Sequence, residues 1–337
     1  MTRLFHTGFE GGYSPFPGVS GTPTLDASTK AHGLYALSVD GSEWVSLTLD
    51  VAKSEIYGRM YIRRGSAVST SRNFLELYDA GTLQFALRYN SSLQLAAYRG
   101  STLIIAGTIP CPVDTWALVE FRIKIHASTG VVTTKIDGVQ DINFPGNTQQ
   151  TANAQFNEVR LNALATSSGA TYTTWFDDVA INDTAGSVNN SWIGDGRVIG
   201  LTPSGAGNYT QLAIGGSSPP ANNWQAVDDV PPNDGVDYVY GTVVDEKDTY
   251  LLTDTGLSAG TVNALQVFAR AQKSDAGAGA LAIMVRSNGT DGVGADQSLS
   301  SLTWKNFWGL WETDPGDSPN PWDLAALDAL QAGVVVR

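Results

Sequence analysis

The division of the chain is decided by one stretch, Thr174–Gly200, which reads TWFDDVAINDTAGSVNNSWIGDGRVIG. As far as Ile181 it has the alternation of a half-buried β-strand, and a run of small polar residues follows. Trp192 then opens WIGDGRVIGL, which has the pattern of a new strand. The pattern predicts that one β-domain ends within Asn182–Trp192, which gives domains at residues 1–183 and 190–337.

Upstream of this stretch the chain alternates repeatedly between apolar and polar residues. Runs such as WVSLTLDV, NFLELYDA and WALVEFRIKI are separated by turn signals, for example Asp137–Gly138. The pattern gives roughly ten short strands without a helical period, which favours an antiparallel sandwich.

The second half also reads as mostly β-structure. NALQVFARAQK and GALAIMVRSNG look like a hairpin pair joined by a glycine-rich turn. One short helix is predicted near the end, with Asn320 as N-cap, Pro321 at the first position, Gly333 as C-cap, and a stripe formed by Leu324, Leu327 and Leu330. A second short helix or turn is expected in TWKNFWGLWE.

The charge of the chain argues against some functions. Residues 1–183 carry 13 Lys and Arg against 16 Asp and Glu, and residues 184–337 carry 7 against 17, so most of the net charge of −13 lies in the second half. An acidic chain without a basic run is repelled by phosphates, which excludes nucleic acid as a partner. We also expect no signal peptide and no membrane span. Cys111 is the only cysteine, so an intrachain disulfide is excluded.

No arrangement of residues predicts catalysis, a cofactor or a metal. Asp177 and Asp178 are neighbours on a strand and should point to opposite faces, one toward solvent and one toward a turn, with a calcium ligand as the alternative. Glu76 and Asp79 are three apart and should also diverge. Three further acidic residues fall in a predicted loop: Asp245, Glu246 and Asp248. The three histidines are far apart in sequence: His6, His32 and His126.

The tryptophans carry the strongest signal for an interface. Trp304, Trp308 and Trp311 are spaced to share one face if the segment is helical. Packing within the core or between domains is the plainer interpretation, a contact with another subunit of a particle is the alternative, and sugar stacking is the third. Trp192, Trp224 and Trp322 lie beside turns and are expected to be local anchors.

The order GFEGG, GLYALSVDG, WALVEFRIKI, GVVTTKIDGVQ and WFDDVAIND resembles the LamG type of concanavalin A-like jelly roll. The whole chain is similar to virion proteins of tailed bacteriophages, in which a jelly roll precedes an acidic, tryptophan-punctuated β-module. The resemblance implies an all-β protein: a concanavalin A-like jelly-roll sandwich, then a second, smaller β-sandwich-like domain with a short C-terminal helix.

The resemblance also implies a structural component of a phage particle, synthesised in the host cytoplasm and located in the virion. A tail-associated adhesion or fibre protein, whose jelly roll either touches host glycan or braces neighbouring proteins, is the first hypothesis. A head decoration protein or capsid fibre is the second, and a free lectin or glycan-active enzyme is the third. Expected partners are other virion proteins and copies of the chain itself in a homo-oligomer, with a trimer preferred because appendages work by symmetry and multivalency.

Overall fold

The protein consists of two compact units, Met1–Val198 and Ile199–Arg337. The structure, a computed structural model, describes residues 3–12, 15–65, 71–162, 173–300 and 302–337. The units are nearly all β-structure, so the predicted all-β fold is confirmed.

The first unit is a jelly-roll sandwich of two antiparallel sheets. Its strands are β1 (Arg3–Thr7), β2 (Gly18–Ser20), β3 (Thr24–Asp26), β4 (Ala36–Asp40), β5 (Trp44–Lys53), β6 (Glu55–Arg64), β7 (Arg72–Asp79), β8 (Thr82–Tyr89), β9 (Gln94–Arg99), β10 (Thr102–Pro110), β11 (Trp116–Lys124), β12 (Gly130–Ile136), β13 (Val139–Gly146), β14 (Phe156–Asn162) and β15 (Thr173–Asn182). The eight-stranded sheet has the order β13-β12-β11-β6-β15-β4-β3, with β1 paired to β15. The seven-stranded sheet has the order β10-β9-β8-β7-β14-β5-β2.

Alternation places every second side chain of these strands in the core between the sheets. In β11, Val119 and Phe121 are fully buried, and in β7, Leu75 and Leu77 are fully buried. Gly58 lies opposite Phe121, whose ring fills the space that a Cβ on Gly58 would need. The intervening residues therefore face outward on both sheets, and many of them are polar.

The second unit is built around one five-stranded sheet with the order β16-β19-β24-β21-β22. Its strands are β16 (Pro203–Thr210), β17 (Ala213–Gly215), β18 (Tyr238–Tyr240), β19 (Lys247–Leu252), β20 (Leu265–Ala271), β21 (Ala280–Ser287), β22 (Thr290–Ser298), β23 (Lys305–Trp311) and β24 (Gln331–Val336). A 3-10 turn covers Asn223–Ala226, and one helix, α1, covers Leu324–Asp328. The two-stranded sheet β20–β23 packs on the five-stranded sheet through Leu281, Ile283 and Phe307.

Two local predictions for this unit are wrong. The predicted hairpin does not form, because β20 pairs with β23 whereas β21 pairs with β22 and β24. The helix begins later than predicted: Asp323, not Asn320, is the N-cap, and its side chain accepts from the Ala326 N–H at 2.7 Å. Gly333 is not a C-cap, since it lies in β24 between Thr249 and Met284.

The spatial division falls later than the sequence pattern places it. Residues up to Val198 belong to the first unit, so Trp192 does not open the second domain. Its ring packs edge-on against Tyr57 of β6 at 5.5 Å, and the Lys135 Nζ of β12 lies 3.9 Å from the ring centroid. The segment after β15 thus continues along the first unit instead of leaving it.

Candidate functional site

Polar and aromatic side chains form a continuous band on the outward face of the seven-stranded sheet. The band crosses five adjacent strands, and the registers place its members side by side. It consists of Trp44 on β5, Arg160 on β14, Glu76 and Tyr78 on β7, Arg88 on β8 and Tyr98 on β9. We call these six residues the polar–aromatic band.

Stacking between arginines and rings holds the band together. The Arg160 guanidinium lies between two rings, with its Cζ 4.4 Å from the centroid of Trp44 and 3.9 Å from that of Tyr78. Its Nε also pairs with Glu158 at 2.6 Å. Farther along the band, the Arg88 Cζ lies 3.8 Å from the centroid of Tyr98. Guanidinium groups favour ring faces because the ring quadrupole attracts a cation, so these contacts fix the rings in position.

Glu76 lies at the centre of the band and is 1% exposed. The Tyr78 hydroxyl donates to one of its carboxylate oxygens at 3.0 Å, and the Asn73 amide donates to the other. Burial raises the pKa of Glu76, against the effect of these two donors and of Arg160 and Arg88. Burial and the Glu76 charge raise the pKa of Tyr78 to about 12, so the phenol remains protonated.

The other acidic residues considered from sequence are not part of this band. Asp79 accepts from the Thr151 hydroxyl at 2.7 Å and the Asn153 amide at 3.1 Å, and so anchors a loop. Asp248 does not lie in a loop as predicted: it is in β19, fully buried, and accepts from the Leu212 N–H at 2.9 Å. Asp245, an exposed residue, pairs with Arg337.

The outward face of the eight-stranded sheet is occupied by residues 192–198 of the chain itself. We call this segment the strap. The Gly194 N–H donates to Glu120 at 3.1 Å, and Asp195 accepts from the Tyr61 hydroxyl at 2.8 Å. Arg59 donates to the Gly196 carbonyl. The strap thus supplies partners to Glu120, Tyr61 and one nitrogen of Arg59, whereas the Arg59 Nε is buried without a partner among the described residues.

Both adjacent aspartates are buried, which corrects the prediction that one faces solvent. The backbone of Asp178 has φ of 49°, and the pairing of β15 with β6 shifts between Asp177 and Ala180, as expected for a bulge. Asp177 accepts from the Ala31 and His32 N–H groups at 2.9 and 3.1 Å. The extra residue re-aims the side chains, so strict alternation no longer applies here.

Asp178 joins the strap to the sandwich. One of its oxygens lies 2.6 Å from the His32 Nδ1, and the other accepts from the Val198 N–H at 2.5 Å. Burial and the neighbouring Asp178 raise the pKa of Asp177 to about 7, although three backbone N–H groups favour its ionised form. Within the described ranges, no three His, Cys, Asp or Glu side chains are grouped so as to hold a metal ion.

The remaining residues considered from sequence take structural positions. His6 is half-buried, and desolvation together with Arg3 and Arg59 lowers its pKa to about 3. The His126 Nδ1 accepts from the Ser128 and Thr129 N–H groups at 3.0 Å, which closes a turn. Cys111 is buried. None of the helices in the described part of the chain has the length and apolar character that a membrane crossing requires.

The three tryptophans proposed for an interface do not share a helical face, because their segment forms β23. Trp311 packs inward, against the cluster that contains Trp322 and Leu330. Trp308 has the opposite orientation and stands beside Phe268 of β20. Trp304 precedes the strand, and its ring is 6.1 Å from that of Tyr238. The spacing of the tryptophans predicts that they share one helical face, whereas the strand places Trp308 and Trp311 on opposite faces.

Sequence reasoning missed the polar–aromatic band except for Glu76. The signal was present as polar or aromatic residues at the outward positions of apolar strands, in FLELY, FALRY, LAAYR and EVRL. The order of the strands in the sheet was needed to bring these positions together.

No protein-family model matches the sequence, and no curated protein matches it significantly. Among solved structures, Cellulose induced protein, Cip1 is 18% identical with a TM-score of 0.45, and the match covers 57% of this chain and 100% of that one. An endo-β-1,4-glucuronan lyase from the fungus Trichoderma reesei is 16% identical with a TM-score of 0.45, over 54% of this chain and 95% of that one. A carbohydrate esterase from Shiga toxin-encoding bacteriophage phi24B is 15% identical with a TM-score of 0.40, over 54% of this chain and 98% of that one. The chain is thus similar to β-proteins whose names refer to carbohydrates, one of them from a phage, at identities too low to transfer an activity.

Proposed function

We propose that the first unit binds a glycan along the polar–aromatic band, and that the protein is a glycan-contacting component of a bacteriophage particle. The observation that carries the glycan proposal is the outward stack of Trp44, Arg160 and Tyr78 beside Glu76. The virion proposal rests on the sequence resemblance and on the order of the two modules.

The shape of the band suits an extended chain of sugars. Five adjacent strands at a spacing of about 4.8 Å make it roughly 19 Å long, enough for several sugar rings. Sugar rings present C–H faces that pack on aromatic rings and hydroxyl groups that pair with polar side chains. Trp44, Tyr78 and Tyr98 are half-buried, so part of each ring is accessible. Rings held in place beforehand bind with a smaller loss of side-chain entropy.

The band supports binding better than cleavage. Glycoside hydrolysis needs two carboxyl groups about 5–9 Å apart across one sugar, one of which exchanges a proton. Both oxygens of Glu76 are engaged by Asn73 and Tyr78, and Glu158 is paired with Arg160. We therefore propose that the protein is not an enzyme.

Binding to a panel of bacterial capsular and cell-wall polysaccharides tests this function. We expect Trp44→Ala to weaken binding by at least about tenfold, as for an aromatic anchor at a contact surface. Trp175→Ala is the matched control, because Trp175 lies on the outward face of the other sheet, with the Arg63 Cζ 5.0 Å from its ring centroid.

Two results would contradict the proposal. Equal losses of binding in the Trp44 and Trp175 variants would mean that the band is not the site. Release of oligosaccharides by the wild type, abolished in Glu76→Gln, would show an enzyme instead. Mass spectrometry of purified phage tests the virion proposal separately, and the copy number per particle distinguishes a head lattice from a tail tip or fibre.

A further inference from the structure

The two arginines of the band differ in how their charges are balanced. Arg160 pairs with Glu158. Arg88 forms no ion pair with any described residue; its Nη2 donates to the Gly100 carbonyl at 3.3 Å, and its Cζ lies over Tyr98. The Arg88 Nε is buried and has no hydrogen-bond partner among the described residues.

Burial makes this lack of a partner costly. Arg88 is 8% exposed, and burial lowers its pKa, although electrostatic interactions with Tyr98 and Glu76 and a hydrogen bond with Tyr98 favour the charged guanidinium. A buried polar atom without a partner loses its hydration and gains nothing in return. The residues outside the described ranges contain no Asp or Glu, so they offer no carboxylate to Arg88.

A second unpartnered atom lies on the adjacent strand. Asn73 is opposite Arg88 in the register of β7 and β8, and it is 3% exposed. Its amide donates to Glu76, and its Oδ1 has no hydrogen-bond partner among the described residues. Two directly opposed residues, Arg88 of the band and Asn73 beside it, therefore carry an arginine donor and an amide acceptor without partners in the described part of the chain.

We infer that Arg88 binds an anionic group of the glycan, a carboxylate or a phosphate, while the Asn73 Oδ1 accepts from a neighbouring sugar hydroxyl. The glycan of the proposed function, on which this inference rests, is therefore an acidic one. Guanidinium groups suit both anions because their N–H donors lie in one plane and bind two oxygens side by side. Glu76 favours the charged form of Arg88, but both of its own carboxylate oxygens are already engaged by Asn73 and Tyr78.

The test compares each polysaccharide bound in the panel with the same polymer after removal of its anionic groups. Carbodiimide-coupled reduction converts carboxylates to alcohols, and hydrogen fluoride treatment removes phosphates. For the wild type, we expect one of these treatments to weaken binding at least about tenfold, the effect of losing one charge-assisted contact. The treatment that has the effect identifies the anion.

Variants assign the effect to Arg88. In Arg88→Gln the treated and untreated polymers should bind equally, and Arg88→Lys should retain part of the difference. Arg122→Gln is the matched control: it removes the same charge from the other sheet, where Arg122 pairs with Glu55, and it should respond like the wild type.

Two outcomes overturn the inference and leave the proposed function standing, and a third overturns both. If the wild type binds treated and untreated polymers equally, or binds only neutral polymers through Trp44, glycan binding stands and the anion site does not. If Arg88→Gln still discriminates between the polymers, another residue recognises the anion. If no polymer binds, the proposed function fails as well. The wild-type comparison remains decisive even if Arg88→Gln does not fold.

Discussion

The two outward faces of the first unit have the same origin and different partners. Alternation along β6 and β11 puts Arg59 and Glu120 on the outward face of the eight-stranded sheet. Alternation along β7 and β14 likewise puts Glu76 and Arg160 on the outward face of the seven-stranded sheet. On the eight-stranded sheet, the strap supplies backbone groups and Asp195 to those side chains. On the seven-stranded sheet, the side chains of the band stack on one another instead. Among the described residues, buried unpaired atoms occur on both faces, at the Arg59 Nε on one and at the Arg88 Nε and the Asn73 Oδ1 on the other, so the strap is what distinguishes them. The strapped face is structural, and the face that holds the band is the one we propose for a ligand.

The largest effect should come from breaking the strapped face. Arg59 is 5% exposed and donates to Gly196, while Glu120, Asp178 and Asp195 surround it electrostatically. Arg59→Met should lower the free energy of unfolding by about 3–5 kcal/mol, because it leaves buried carboxylates without a counter-charge. Arg160→Met on the open face should cost only about 1–2 kcal/mol, the value of a partly exposed pair with ring contacts. Urea denaturation measures both, and equal losses would mean that the two faces do not differ as described.

An effect of intermediate size is the pH dependence of stability, which should have opposite signs for Asp177 and His6 of the first unit. Asp177 has a pKa raised to about 7, so its stabilising contribution is full at acid pH and is lost as the pH rises toward 7. His6 has a pKa lowered to about 3, so its contribution is full above 6.5 and is lost as the pH falls. Shifts of this size correspond to at most about 5 kcal/mol each, with opposite signs.

The two contributions are separated by comparing variants with the wild type between pH 8 and pH 4. Relative to Asp177→Asn, the wild-type melting temperature should rise as the pH falls. Relative to His6→Gln, it should fall over the same range. The charged and titratable groups around the pair Asp177 and Asp178 are Glu10, His32 and Arg59, and all of them are present in the wild type and in both variants. A difference that stays constant with pH would show that the group titrates alike in the folded and unfolded chain.

The sequence contains most of the fold because the fold depends on local alternation. WALVEFRIKI predicts β11 with Val119 and Phe121 inward, and the structure has both buried there. Pairing at long range is different: β20 joins β23 across a separation that no local pattern encodes, so the predicted hairpin is wrong. The spacing of the tryptophans also fits a helix, although the segment forms a strand.

The candidate site was less predictable than the fold, since it depends on strand order and on one bulge. Trp44 and Tyr98 belong to one band, at its two ends, only because the strands β9, β8, β7, β14 and β5 are neighbours in that order. Asp177 and Asp178 converge on His32 because the bulge changes the direction of their side chains. Period-two reasoning predicts divergence at the same position, and it has no means to include an extra residue.

The smallest change in monomer stability is expected at Trp308, on an outward face in the second unit. The predicted partner of this face is another copy of the chain. Trp308 stands beside Phe268 on β23 and β20, whereas Trp311 is partly buried and packs against the core cluster. Trp308→Ala should cost about 0.5–1 kcal/mol of monomer stability, the value of one cross-strand pair, whereas Trp311→Ala should cost about 3–5 kcal/mol. If Trp308 lies at the interface of the predicted homo-oligomer, its replacement should also convert the assembly, a trimer by preference, to monomers in light scattering after size exclusion. An oligomer that survives in Trp308→Ala would remove this tryptophan from the interface, and a large loss of monomer stability would instead place its ring in the core of the unit.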